Sequence, residues 1–193
     1  MNIGILISGR GSNMAAIIDA VNRGEIPDSR VAIVISDKPN AAGLIKAAER
    51  GVETKVIERL GRSREDHDKE IISVLKDREV DLVCLAGYMR LLSPLFISSF
   101  PEKIINIHPS LLPSYPGLNV HERVLEAGEK ITGCTVHFVN EELDAGPVIL
   151  QRKVEVNIGD TPETLSERVL AIEHQAYIEA LKIIHRRNIL NKQ

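Results

Sequence analysis

Asn2-Ile3-Gly4-Ile5-Leu6-Ile7-Ser8-Gly9-Arg10-Gly11-Ser12-Asn13 opens the chain with an aliphatic run that breaks into a glycine turn and, from Met14, into helix-compatible sequence. A short buried strand followed at once by Gly-x-Gly and a helix start is the first step of a βαβ fold. The pattern then repeats. Residues 3–7, 31–35, 54–57, 82–85 and 104–107 are strand candidates, and 14–21, 41–50, 64–76 and 94–100 have the length and apolar spacing of crossover helices. Such alternation predicts a Rossmann-like, doubly wound α/β fold with a mostly parallel sheet. Beyond Gly117 the style changes: 118–127 reads as a helix, and 134–139 and 148–156 read as longer strands joined by the loop 140–147. A connection that short predicts an antiparallel pair at the C-terminal edge of the sheet. Thr161-Pro162-Glu163-Thr164 then supplies a cap, a first-position proline and an acidic first turn for a long C-terminal helix. Its apolar stripe is Leu165, Val169, Ile172, Ala176 and Leu181, and Lys182, Arg186 and Arg187 load its far end, as the macrodipole favours.

A chain of 193 residues, 44% hydrophobic and 26% charged, suits one domain over 1–193. The net charge of -3 argues against a nucleic-acid partner. The opening apolar run is too short for a signal segment, and no later stretch approaches a membrane span, so a cytoplasmic protein without a membrane partner is expected. Cys84 and Cys134 lie in strand-like runs and read as buried reduced thiols.

The turn after the first strand aims backbone N–H groups and a helix dipole at one point, which suits an anion. It is half of a dinucleotide fingerprint: Gly9 and Gly11 match, Met14 replaces the third glycine, and no Gly-Lys-Ser/Thr follows, so one phosphate fits better than two or three. Asp37 offers the acid that a nicotinamide reading would need, but Ser36-Asp37-Lys38-Pro39-Asn40 has turn composition. Asn106-Ile107-His108-Pro109 ends the fifth strand, where alternation puts Asn106 and His108 on one face. Alone, such a pair most often caps a turn. It is also what a reaction needs when negative charge builds on an oxygen and a proton must move. If the loop carrying Asp144 folds over the sheet's C-terminal edge, Asp144 meets His108 and stabilises its cationic form. His67, between Asp66 and Asp68, reads as a solvated helix position; His121 and His137 flank the site in sequence, so that one of them could contact substrate, but structural hydrogen bonding is the better reading of both. No cluster has metal-ligand spacing, so metal-independent chemistry is expected.

Taken in order, Ser8 to Asn13, Ala86-Gly87-Tyr88-Met89-Arg90, Asn106 with His108-Pro109-Ser110, Pro113 and Gly117, Asp144-Ala145-Gly146-Pro147-Val148-Ile149 and Glu173-His174 resemble the folate-dependent formyltransferases, over essentially the whole chain. The resemblance is strongest to the branch that formylates a glycinamide ribonucleotide. It implies transfer of a formyl group from 10-formyltetrahydrofolate to the amine of 5-phosphoribosylglycinamide, in de novo purine biosynthesis. It further implies catalytic roles for Asn106, His108 and Asp144, a phosphate on Gly11, Ser12 and Asn13, and the sugar on Glu173. Cofactor contacts are implied at Arg64, Met89, Arg90, Leu91, Leu92, Asn106, Asn140 and Asp144, with Arg64 or Arg90 pairing with the folate glutamate. The phosphate-binding half would be about 1–100, and the folate and catalytic half about 80–193.

Read without the resemblance, Glu173 is a solvated helix carboxylate, Arg64 a surface helix start, and Leu91 and Leu92 ordinary core. Leu170 departs from the family pattern, which has a polar side chain there. The partners expected are small molecules, and a homodimer stays open. Two rivals remain: a formyltetrahydrofolate hydrolase, which would not need the phosphate turn, and a non-catalytic nucleotide-binding domain, which would leave Asn106, His108 and Asp144 unexplained.

Overall fold

The computed structural model describes residues 1–190. In chain order these form β1 (Asn2–Ile7), α1 (Ser12–Asn22), β2 (Arg30–Ser36), α2 (Ala42–Glu49), β3 (Thr54–Val56), α3 (Arg64–Asp77), β4 (Leu82–Leu85), α4 (Pro94–Ser99), β5 (Ile104–His108), α5 (Val120–Glu126), β6 (Ile131–Phe138), β7 (Val148–Glu155) and α6 (Pro162–Leu190). Among the described residues the strands form one seven-stranded sheet in the order β3-β2-β1-β4-β5-β6-β7. This is the doubly wound, mostly parallel sheet with an antiparallel edge that the alternation predicts. The chain divides into two compact units, Met1–Ile105 and Asn106–Gln193, with the cut inside β5.

In the first unit β1 is fully buried at Ile3, Ile5, Leu6 and Ile7, and it pairs in parallel with β2 on one side and β4 on the other. The chain therefore winds outward from β1 through β2 to β3, then returns to the other side of β1. Right-handed crossovers place the helices of the two runs on opposite faces. The order reverses between β1 and β4, and in open α/β sheets ligands bind outside the carboxyl ends of the strands at that reversal.

In the second unit β6 and β7 pair antiparallel, from Ile131 opposite Glu155 to His137 opposite Val148. β6 begins three residues before its predicted start at 134. The alternation is broken there by Gly133, whose missing side chain lets the strands close: a Cβ at that position would lie 1.9 Å from the Arg152 carbonyl oxygen. Helix α6 packs across β6 and β7. Leu165, Val169, Ala176 and Leu181 are fully buried, as the stripe predicts, whereas Ile172 is half-buried, and Tyr177 and Ala180 join the core. Its start is capped as expected, with Pro162 in the first position and the Thr164 N–H donating to Thr161 Oγ1 at 3.3 Å. Cys84 and Cys134 are buried and neither forms a disulfide. Among the described residues no helix is long and apolar enough to cross a membrane.

Candidate active site

The glycine turn between β1 and α1 owes its shape to close backbone approach. Gly11 takes φ +65°, and a Cβ there would lie 2.7 Å from Gly43 Cα; the Gly43 N–H in turn donates to the Gly9 carbonyl at 3.0 Å. The turn is thus pressed onto the start of α2, which only two facing glycines permit. The segment after β4 is laced to it: the Ser8 N–H donates to the Gly87 carbonyl at 3.0 Å, and the Met89 N–H donates to Ser8 Oγ at 2.9 Å. Gly11 has no side chain to cap α1, an arrangement in which a helix start can recognise an anion.

Also in the first unit, a cavity of about 190 Å³ opens beside this segment, lined by Arg59, Arg64, His67 and Asp68 on the α3 side and by Met89, Arg90 and Leu91 after β4. Met89 and Leu91 are 67% and 54% exposed, so Leu91 is cavity wall rather than core, whereas Leu92 is buried. His67 is a correction to the sequence reading, being 1% exposed. Its Nε2 donates to the Ile57 carbonyl at 2.7 Å, and its Nδ1 lies 3.6 Å from Asp68 Oδ1. Asp68 is buried too and accepts from the Ser93 N–H at 2.6 Å, pinning α3 to the loop before α4. Helical periodicity in α3 puts 67 and 68 on the inward side with Ile71, Ile72 and Leu75, and the flanking acids hid that face. Asp37, at the end of β2, is a turn residue with a further duty: its Oδ2 accepts from Arg90 Nε at 2.7 Å.

The second unit gathers the amide, imidazole and carboxylate that the sequence singled out. His108 Nδ1 lies 3.4 Å from Asp144 Oδ2, and its Nε2 donates to the Tyr115 carbonyl at 2.8 Å. Each ring nitrogen therefore faces an acceptor. Asp144 itself is held: Oδ2 accepts from the Gly117 N–H at 2.9 Å, the residue adopts φ +52°, and its side chain is 8% exposed. Two residues on, Gly146 seats this loop on β6, with the Phe138 N–H donating to the Pro147 carbonyl at 2.9 Å. The segment after β5 is fixed as firmly. Thr135 Oγ1 donates to the Ser110 carbonyl at 2.6 Å and accepts from the Leu112 N–H at 3.0 Å.

His137, read from sequence as structural, belongs to this cluster. Its Nδ1 donates to the Phe138 carbonyl at 2.9 Å, so Nε2 carries a lone pair, and Asn106 Nδ2 donates to it at 3.3 Å. The same Nε2 is 3.8 Å from Asp144 Oδ1. Burial pushes the His137 pKa down, against the pull of the Phe138 carbonyl and Asp144, and a charge on His108 pushes it further the same way. His121 is lowered by burial and then by His108. The signal that could have found His137 was its alternation within β6, which sets it on one face with Thr135.

Residues 1–181 match the formyl transferase family. The chain belongs to that family. Among formyl transferases, it is 48% identical over 178 residues to the phosphoribosylglycinamide formyltransferase of Escherichia coli (strain K12), covering 92% of this chain and 84% of that protein. It is 48% identical over 187 residues to the trifunctional purine biosynthetic protein adenosine-3 of Gallus gallus, where it spans only 18% of the relative's length. The crystal structure of glycinamide ribonucleotide transformylase 1 from Symbiobacterium toebii superposes with a TM-score of 0.94 at 48% identity, covering 96% of this chain and 88% of that one. These names bear out the resemblance, and with it the enzymatic class, that the motifs imply.

Of the other residues expected in a formyl transferase site, Gly11, Ser12 and Asn13 stand at the turn and the start of α1, and Arg64, Met89, Arg90 and Leu91 line the cavity. Asn140 Oδ1 accepts from the Glu142 N–H at 3.1 Å, a local turn that shapes the loop. Glu173, expected on its own to be solvated, is only 8% exposed, and Leu170 is half-buried.

Proposed function

We propose that the chain transfers the formyl group of 10-formyltetrahydrofolate to the amine of 5-phosphoribosylglycinamide, a step of de novo purine biosynthesis in the cytoplasm. The observation that carries this reading is the cluster of Asn106, His108 and Asp144, and the relatives' names support it. The first unit contributes an anion-binding turn at Gly11, Ser12 and Asn13 for the ribonucleotide phosphate. It also contributes the cavity of Arg64, Met89, Arg90 and Leu91 for the folate. In the second unit Glu173 takes the sugar, and Asn140 shapes the folate loop.

The chemistry follows from where charge develops. The neutral amine nitrogen attacks the formyl carbon, the carbonyl π pair moves to oxygen, and a tetrahedral adduct forms with a positive nitrogen and a negative oxygen. Asn106 gives one amide N–H to His137 and keeps the second for that oxygen, and His108, turning its Nε2–H away from the Tyr115 carbonyl, donates to it from the other side. Asp144 keeps His108 oriented. Collapse of the adduct re-forms the carbonyl, breaks the bond to N10 of the folate, and passes the ammonium proton to that leaving nitrogen through the His108–Asp144 pair. No acyl-enzyme is needed.

The test is an assay of purified protein with 10-formyltetrahydrofolate. Tetrahydrofolate is expected only when 5-phosphoribosylglycinamide is added. Release without the ribonucleotide would instead make the protein a hydrolase that uses the same cluster with water, and no release in either case would reduce it to a binding domain.

A further inference from the structure

The irregular segment between β5 and α5 places two backbone groups on the proposed catalytic pair: the Tyr115 carbonyl beside His108 Nε2, at 2.8 Å, and the Gly117 N–H on Asp144 Oδ2, at 2.9 Å. Backbone outside a ladder keeps such a position only when its own polar groups are met by other partners. Gln151, half-buried midway along the edge strand β7, meets them. Its Nε2 donates to the Leu112 carbonyl at 2.8 Å and to Thr135 Oγ1 at 2.9 Å, so both amide hydrogens are used. Thr135 lies directly opposite Gln151 on β6, which sets the two side chains on one face of the sheet. The Thr135 hydroxyl is fully buried and saturated. Its lone pairs accept from Gln151 and from the Leu112 N–H, and its proton goes to the Ser110 carbonyl. Gln151 decides the sign of this arrangement. The Leu112 carbonyl can only accept, so the amide must turn its NH2 inward, and that NH2 then leaves the hydroxyl proton only the Ser110 carbonyl. Farther along, Ser110 Oγ donates to the Ser114 carbonyl at 2.5 Å and the Ser114 N–H donates to the Leu111 carbonyl at 3.1 Å. A displacement at Leu112 is thereby passed on toward Tyr115 and Gly117.

We propose that Gln151 is a positioning residue for the formyl transfer: through Thr135 and Leu112 it fixes where the Tyr115 carbonyl and the Gly117 N–H stand, and so the geometry of the His108–Asp144 pair. This rests on the catalytic reading above. The Gln151 amide bonds to Leu112 and Thr135 rather than to His108 or Asp144, so its loss acts on turnover and not on substrate binding.

The experiment is steady-state kinetics with 10-formyltetrahydrofolate and 5-phosphoribosylglycinamide, at a temperature below the measured Tm of every protein compared. The proteins are the wild type, Gln151→Met, Gln151→Glu, His108→Ala and the double variant His108→Ala/Gln151→Met. Gln151→Met keeps the volume and removes both donors, and kcat is expected to fall at least about tenfold, as for a small misplacement of catalytic groups. Both KM values should stay within about twofold of wild type, the mark of an interaction that matters only in the transition state. Gln151→Glu keeps the shape but presents only acceptors to the Leu112 carbonyl, and should lose at least as much. On top of His108→Ala, Gln151→Met should lower kcat further by less than about twofold, because residues that act as a unit are not additive. Wild-type kcat in either Gln151 variant would overturn the assignment, as would a raised KM at unchanged kcat. So would the full loss repeated in the His108→Ala background, which would make Gln151 a support of the fold at large. Wild-type protein that transfers no formyl group would instead sink the catalytic reading itself.

Discussion

Because His137 gives its Nδ1 proton to the Phe138 carbonyl, its Nε2 can only accept, and the Asn106 amide must turn its NH2 toward it. A single imidazole tautomer thus decides which end of Asn106 faces the reaction. Losing that orientation in His137→Ala should lower kcat roughly fivefold to tenfold, about the worth of one buried hydrogen bond. His137→Gln, which keeps an acceptor, should recover much of it with the folate KM unchanged in both. Equal kcat in wild type and His137→Ala, measured at saturating substrates, would contradict this. The proposed oxyanion donors stand higher. Asn106→Ala and His108→Ala should each lower kcat about a hundredfold to a thousandfold, and near-wild-type turnover in either purified variant would remove it from the mechanism. Asn106 and His108 were legible in the sequence because strand periodicity puts i and i+2 on one face. His137 was not, because its partner lies 31 positions away in the chain, and no local pattern carries that pairing.

At the scale of elements, the loop between β6 and β7 is what brings a carboxylate to β5, and Gly146 is its seat. A Cβ at Gly146 would lie 1.8 Å from the Phe138 carbonyl oxygen, a backbone atom that cannot swing aside. Gly146→Ala should therefore cost more than about 2 kcal/mol and lower Tm by roughly 5 °C or more. It should also depress kcat, because Asp144 is carried by the displaced segment. A Tm within 1 °C of wild type, on the order of the smallest shift such a clash allows, would show that the loop relaxes instead. The elements themselves were readable from sequence: strands alternated with helices, and Thr161-Pro162 announced α6. What escaped was the true start of β6, masked by Gly133, and the inward face of α3, masked by the acids around His67.

At the scale of the whole molecule, stability should depend on pH through three histidines, His121, His137 and His174, all held below their ordinary pKa with burial as the leading cause. A histidine with a lowered folded pKa binds fewer protons when folded than when unfolded. Its contribution is then complete above about 6.5, the unfolded value, and is lost as pH falls toward the folded one. Tm measured from pH 7.5 down to 5.5, a window of about one unit either side of that value, should fall, and His137→Gln should flatten part of the slope. A Tm that rises on acidification would mean these rings are charged in the folded state. By itself the sequence determined the parallel α/β class, the antiparallel edge, the glycine turn after β1 and the formyl transferase resemblance, because period, turn chemistry and motif order are local and one-dimensional. Only the tertiary structure decided that His137 orients Asn106, that Asp144 reaches His108, that Asp37 engages Arg90 and that Gly43 faces Gly11. Each of these joins residues distant in the chain, and the contact exists only once the sheet has set which strand ends lie side by side.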